Sequence, residues 1–147
     1  MKDLVVKSPV FENNGYIPPK FSCDGKGVNP PLVIEGIPEK THSLALVMED
    51  PDAPAGLFVH WVAWNIPPTG VIRENPLTIA EGLNTAKKRG YRPPCPPSGT
   101  HRYVFKIYAL DTMLNLNEFD EKDDLEKAMQ GHVLSQGELI GLYKRTG

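Results

Sequence analysis

Cysteine is scarce in this 147-residue sequence: Cys23 and Cys95 are its only two, too few for a disulfide scaffold. In a reducing compartment they would normally stay thiols, and a Cys23 to Cys95 bridge is the alternative left open. Long apolar runs are missing. None approaches the roughly 20 residues that span a bilayer, so no integral membrane segment is expected. The opening Met1-Lys2-Asp3-Leu4-Val5-Val6-Lys7-Ser8-Pro9 interrupts its apolar stretch at Lys7 and Pro9, before a signal-peptide core could form, and a cytoplasmic location is the default. A surplus of charge is missing too: 16 Lys and Arg are scattered among 18 Asp and Glu. With no basic stripe to neutralise a phosphate backbone, nucleic acid is not an expected partner. Neither an internal repeat nor a linker is found, and the length suits one domain over residues 1–147 with a core of its own.

Proline is what the chain has in excess, 15 residues beside 13 glycines, clustered in short groups that read as rigid loops between strands. Ser43-Leu44-Ala45-Leu46-Val47-Met48-Glu49-Asp50 is a continuous run stopped by Pro51, the pattern of a strand covered on both faces, with Asp50 at its end. Residues 58–66 form a second interior strand. Strict alternation there sets His60, Val62 and Trp64 on one face and Val59, Trp61 and Ala63 on the other. Residues 101–110 form a third, with His101, Tyr103, Phe105 and Ile107 projecting together, opposite Arg102, Val104, Lys106 and Tyr108. Residues 4–11, 32–34 and a weaker stretch over 71–79 add candidate strands. Many short strands with few helices point to a mainly β sandwich. Residues 123–130 read as a helix, with acids in the first turn and Gly131 as the stop. Ser135-Gln136-Gly137-Glu138 fits a capping box opening a second helix through Leu142, although Gly137 weakens it.

Two clusters carry chemistry. Asp50-Pro51-Asp52-Ala53-Pro54 leads after a short connection into His60-Trp61, and hairpin pairing would bring Asp50 near His60. Arg92-Pro93-Pro94-Cys95-Pro96-Pro97 is a stiff loop running into the strand that bears His101 and Tyr103, a preset pocket rim. Two imidazoles and a phenol donate hydrogen bonds suited to an anion. Asp50 has the wrong sign for that task, so it is expected to accept a proton from an imidazole, and phosphate-type ligands are expected to bind more tightly as pH falls toward about 6. Asp52 reads as a turn carboxylate. The expected activity is binding without catalysis, with no catalytic residue, no metal and no cofactor. The alternative is a hydrolase using the same pocket, either through a Cys95 nucleophile or through a metal held by two His and one Asp. Pro93 and Pro96 have PxxP spacing, which reads as an internal loop, and His42 and His132 as a surface residue and a helix-end contact.

Taken in order, Ile17-Pro18-Pro19-Lys20-Phe21-Ser22-Cys23-Asp24-Gly25, Asn29-Pro30-Pro31-Leu32, the Asp50 cluster, His60-Trp61, Asn65-Ile66-Pro67, Gly99-Thr100-His101-Arg102-Tyr103 and Ala128-Met129-Gln130-Gly131-His132 make a specific pattern. In these motifs, across nearly its whole length, the chain resembles the phosphatidylethanolamine-binding protein family, in the compact bacterial and archaeal branch described as Raf-kinase-inhibitor-like. The resemblance implies a two-sheet antiparallel β-sandwich with a few peripheral C-terminal helices. It implies a pocket for phosphate or a phospholipid headgroup such as phosphoethanolamine, made by Asp50, Ala53, Pro54, His60, Trp61, Pro94, His101 and Tyr103. Regulation of a kinase, a peptidase or another enzyme, and assembly as a homodimer, belong to the same set of expectations. One departure stands out: Pro93 replaces the glycine usual before Pro-Cys-Pro-Pro, which adds a ring to the rim and removes a backbone donor.

Overall fold

The three long apolar runs become neighbours in one sheet of the computed structural model, which describes residues 3–76 and 79–146. Met1 and Lys2, which open the stretch read against a signal peptide, lie outside the described residues, as do Leu77 and Thr78 of the weak 71–79 stretch. In chain order the elements are β1 (Val5–Lys7), β2 (Gly15–Tyr16), a short 3-10 turn (Pro19–Phe21), β3 (Leu32–Glu35), β4 (Ser43–Asp50), β5 (Phe58–Ile66), β6 (Val71–Ile72), β7 (Ala80–Glu81), β8 (His101–Leu110), α1 (Lys122–Met129) and β9 (Val133–Tyr143). Six strands pair in the order β2-β9-β8-β4-β5-β7, and β1-β3-β6 form a smaller sheet. Pairing is antiparallel except between β2 and β9, which run parallel. The chain is a mainly β, two-sheet sandwich, as its strand pattern predicts.

Every residue of β4 is buried because each face of its sheet is covered. Leu44, Leu46 and Met48 face the small sheet, meeting Val6, Leu32, Ile34 and Ile72 in the principal core. Ala45 and Val47 face outward under α1, where Leu125 and Met129, one helical turn apart, close a second cluster with Val62 and Trp64. Glu49 follows on that outer face, only 4 % exposed, and binds the ammonium groups of Lys106 at 2.5 Å and of Lys122, on α1, at 2.8 Å. Burial works against its charge, but the two lysines outweigh it and hold the carboxyl below its ordinary range. The helix is thereby clamped to β4 at the residue next to Asp50.

The second expected helix is not formed. Residues 135–142 lie in β9, which pairs with β8 from His101↔Tyr143 to Leu110↔Val133. Gly137 and Gly141, spaced four apart, disguise a period of two in which Ser135, Leu139 and Tyr143 turn inward. Both glycines serve close approach. A Cβ on Gly137 would lie 2.2 Å from the Leu4 carbonyl oxygen, and one on Gly141 would press into Ile17 and Phe11. Gly137→Ala is therefore expected to lower unfolding free energy by about 1–3 kcal/mol, the usual range for overpacking. Urea denaturation would measure this, and an unchanged midpoint would mean that the Leu4 segment can move aside at no cost.

Candidate functional site

The site forms where β4 and β8 end side by side at the rim of the principal core. Period-two geometry turns Asp50 to the same face as Met48, and His101 to the same face as Tyr103 and Phe105. Both oxygens of Asp50 are engaged: Oδ1 accepts the Asp52 backbone N–H at 2.7 Å, and Oδ2 accepts Nδ1–H of His101 at 2.7 Å. Asp50 is 3 % and His101 7 % exposed, so this contact is dry. A carboxylate acceptor at Nδ1 fixes the proton there and leaves Nε2 of His101 for the cavity.

His60 reaches the same place through a bulge. Met48 pairs with Trp61, and Glu49 with Val59, so His60 is an extra residue in β5. Strict alternation predicts His60 and Trp61 on opposite faces. The bulge resets the phase: Trp61 enters the principal core, and His60 packs edge-on against Tyr103 at 5.3 Å, while Val59 joins Val62 and Trp64 under α1. The bulge also makes Phe58 the strand partner of Asp50 and gives the carboxylate to His101. His60 donates Nδ1–H to the Arg92 carbonyl at 2.8 Å, and Arg92 N–H donates back to the His60 carbonyl at 2.9 Å. Burial pushes the His60 imidazole below its ordinary pKa, against the opposing pull of the Arg92 carbonyl and the Asp50 charge; the Arg92 and His101 charges depress it further.

Tyr103 is fully buried, and its hydroxyl has no hydrogen-bond partner among the described residues. Burial, reinforced by the Asp50 and Asp52 charges, raises its pKa far above the ordinary phenol range, so it stays a donor. Asp52, read from sequence as a turn residue, straps the β4–β5 turn to β8. Its carboxylate takes the Arg102 backbone N–H at 2.9 Å and the guanidinium through Nε at 2.9 Å and a terminal nitrogen at 2.8 Å. The Arg102 hydrogen bonds hold the Asp52 carboxyl down at about 2.

The proline loop closes the cavity and is itself tied down. Cys23 and Cys95 form a disulfide with a Cα–Cα separation of 5.4 Å, in place of the two thiols expected in a reducing compartment, and Cys23 N–H donates to the Pro94 carbonyl at 3.1 Å. The Pro93 ring lies over Gly27, where a Cβ would come within 2.8 Å of it. Gly27 has φ +72°, a second reason for glycine there. The resulting cavity of about 210 Å³ is lined by Asp50, Ala53, Pro54, His60, His101 and Tyr103 from the sequence-predicted set. Two members of that set are elsewhere. Trp61 donates its indole N–H to Glu81 at 2.7 Å and stacks edge-on with Tyr91, inside the core. Pro94 is buried behind the loop with its carbonyl turned to Cys23, and its neighbours Pro93 and Cys95 line the cavity instead. Phe58, Arg92, Pro96 and Pro97 complete the wall. Arg92, Pro96 and Pro97 belong to the quoted proline cluster and could have been named from it; Phe58 depends on the bulge and carries no sequence signal.

Chemically, the cavity offers two Nε2 positions, one unpaired phenol donor and a carboxylate already spent on an imidazole. Cys95 Sγ is in a disulfide and is not a thiolate nucleophile in that form. No group of three or more His, Cys, Asp and Glu among the described residues is arranged to hold a metal ion. Among the described residues no helix is long and apolar enough to cross a membrane. His132, away from the cavity, pairs with Asp111 at 2.8 Å on the surface after α1.

Comparison with known proteins gives a consistent result. The sequence profile described as "Phosphatidylethanolamine-binding protein" matches residues 7–144. A UPF0098 protein of Pyrococcus horikoshii is 50% identical over 149 residues, covering 94% of this chain and 75% of that one. A UPF0098 protein of Methanothermobacter thermautotrophicus is 46% identical over 148 residues, with 95% and 98% coverage. Among solved structures, the homologue CT736 of Chlamydia trachomatis superimposes with a TM-score of 0.94 at 39% identity, covering 99% of each chain.

Proposed function

The chain belongs to the phosphatidylethanolamine-binding protein family, and from that premise we propose that it binds an anionic, phosphate-bearing ligand in the Asp50–His101 cavity without catalysing a reaction on it. The observation that carries the proposal is Tyr103, a residue of the cavity wall beside His60 and His101, whose buried hydroxyl has no hydrogen-bond partner among the described residues. A buried polar group without a partner costs about 1–3 kcal/mol, which an acceptor oxygen from a ligand would recover. A phospholipid headgroup such as phosphoethanolamine and a free phosphate both supply that oxygen. A cytoplasmic location is the part of this reading that the Cys23–Cys95 bridge weighs against, because a reducing cytosol favours thiols.

Isothermal titration of the oxidised protein with inorganic phosphate and with phosphoethanolamine tests the proposal. A saturable, one-to-one heat is expected, with no product formed from phosphate or carboxylate esters. Turnover of an ester would favour the hydrolase. The pH profile follows from His60. Its Nδ1–H is committed to the Arg92 carbonyl, so a neutral ring offers only an acceptor at Nε2, and protonation turns that atom into a donor. Charged or titrating groups near the ring are Asp50, His101, Arg92 and Tyr103. Because the ring must gain a proton to donate, anion affinity rises as pH falls. Because burial depresses its pKa, that rise extends below the ordinary imidazole value of about 6.5. Sulfate, whose charge is constant across this range, is the appropriate probe. An affinity that stays flat from about pH 8 to pH 5 would remove His60 from the mechanism.

A further inference from the structure

We propose that Arg92 is the specificity-determining residue of the cavity, its guanidinium supplying the permanent positive charge that receives the ligand's oxyanion. This rests on reading the cavity as an anion site and names the group that makes it one at neutral pH. Arg92 lines the cavity, yet its side chain makes no hydrogen bond or ion pair among the described residues. The other arginine close by is occupied, Arg102 being spent on Asp52, and Lys106 and Lys122 are held by Glu49 on the outer face of the sheet, away from the cavity. A guanidinium left unpaired beside a cavity has five donors in a planar fork and a charge that does not titrate.

Charge accounting gives it a task. Counted with neutral imidazoles, the lining carries −1 from Asp50 and +1 from Arg92, so removing Arg92 leaves a cavity that repels anions. The two reciprocal hydrogen bonds between the Arg92 backbone and His60 hold the residue at the cavity edge whatever its side chain does. The effect of the Arg92 charge on the His60 ring, which it depresses, agrees with that proximity. The fork fits two oxygens of one phosphate group, whereas Lys at this position would offer a point charge. The predicted ligand class is therefore a phosphomonoester or phosphodiester whose oxyanion lies between the guanidinium and the Tyr103 hydroxyl.

The test compares wild type, Arg92→Gln and Arg92→Lys in titrations with inorganic phosphate and phosphoethanolamine at neutral pH and two salt concentrations. Arg92 is exposed and its backbone bonds are indifferent to the side chain, so both variants should melt with wild type. The expected result is a loss of at least tenfold in affinity for Arg92→Gln, an intermediate loss for Arg92→Lys, and a weaker salt dependence in Arg92→Gln alone. A loss confined to one probe keeps the assignment and identifies the source of the phosphate, free anion or headgroup. If wild type binds and Arg92→Gln binds equally well, the assignment to Arg92 is overturned while the cavity reading stands. If wild type binds neither probe, the cavity reading falls, and this inference with it.

Discussion

Removing the Cys23–Cys95 bridge, by reductant or by the double substitution Cys23→Ser and Cys95→Ser, is expected to lower the free energy of unfolding by about 4 kcal/mol. The bridge joins residues 72 apart, and closing a loop of that length removes a large share of the unfolded chain's conformational freedom. Much of a small domain's net stability, about 5–15 kcal/mol, would go with it. The consequence is local as well as global. Cys95 lines the cavity, and after reduction the loop is held against the Cys23 turn by the Cys23 N–H to Pro94 carbonyl bond, the Tyr91 hydroxyl to Phe21 carbonyl bond and the Pro93 contact over Gly27. Urea denaturation with and without reductant measures the global term, using the double variant as the control that reductant should not affect. Coincident curves for oxidised and reduced wild type would show that the proline loop is rigid without its staple.

Replacing His101 by Ala is expected to weaken phosphate binding by roughly 10- to 100-fold, the worth of a hydrogen bond to a charged group at about 1.5–3 kcal/mol. The substitution does two things at once. It takes away the Nε2–H that the protonated ring donates to the ligand, and it strips Asp50 of its imidazole, leaving a 3 %-exposed carboxylate to repel the incoming anion. Asp50→Asn separates these effects. The amide removes the negative charge, while the Asp52 N–H can still find an acceptor at residue 50, so the turn should persist as His101 loses its fixed tautomer. Paired calorimetric titrations of the two variants are the measurement, with His42→Ala, outside the cavity lining, as control. Phosphate binding by His101→Ala at wild-type strength would detach the ligand from this cavity and favour a module that recognises proteins through another surface.

The strands that bear the site could be read directly from the sequence because their signals are local. Pro51 ends β4 just after Asp50 since proline cannot continue a ladder, and unbroken alternation along β8 puts His101 and Tyr103 on one face. Elsewhere local rules failed where long-range contacts set the answer. Gly137 reads as a weak point in a helix, yet it and Gly141 are the positions where Leu4, Ile17 and Phe11 press against β9. The family resemblance, not alternation, implies a place for Trp61 in the pocket, and its indole N–H instead donates to Glu81 on β7 within the core.

What the sequence alone determined was the inventory and its polarity: a β-rich chain, an acid and two imidazoles at strand ends, a proline loop beside them. What only the tertiary structure decided was who meets whom. The bulge at His60, the choice of His101 as the partner of Asp50, the closure of the Cys23–Cys95 bridge and the unpaired state of Arg92 and Tyr103 all depend on groups 10 to 72 residues apart, or on the absence of any partner among the described residues. Alternation and breaker residues act through neighbouring backbone atoms and are written in the local order of residues, whereas register and pairing are settled by the joint packing of both sheets.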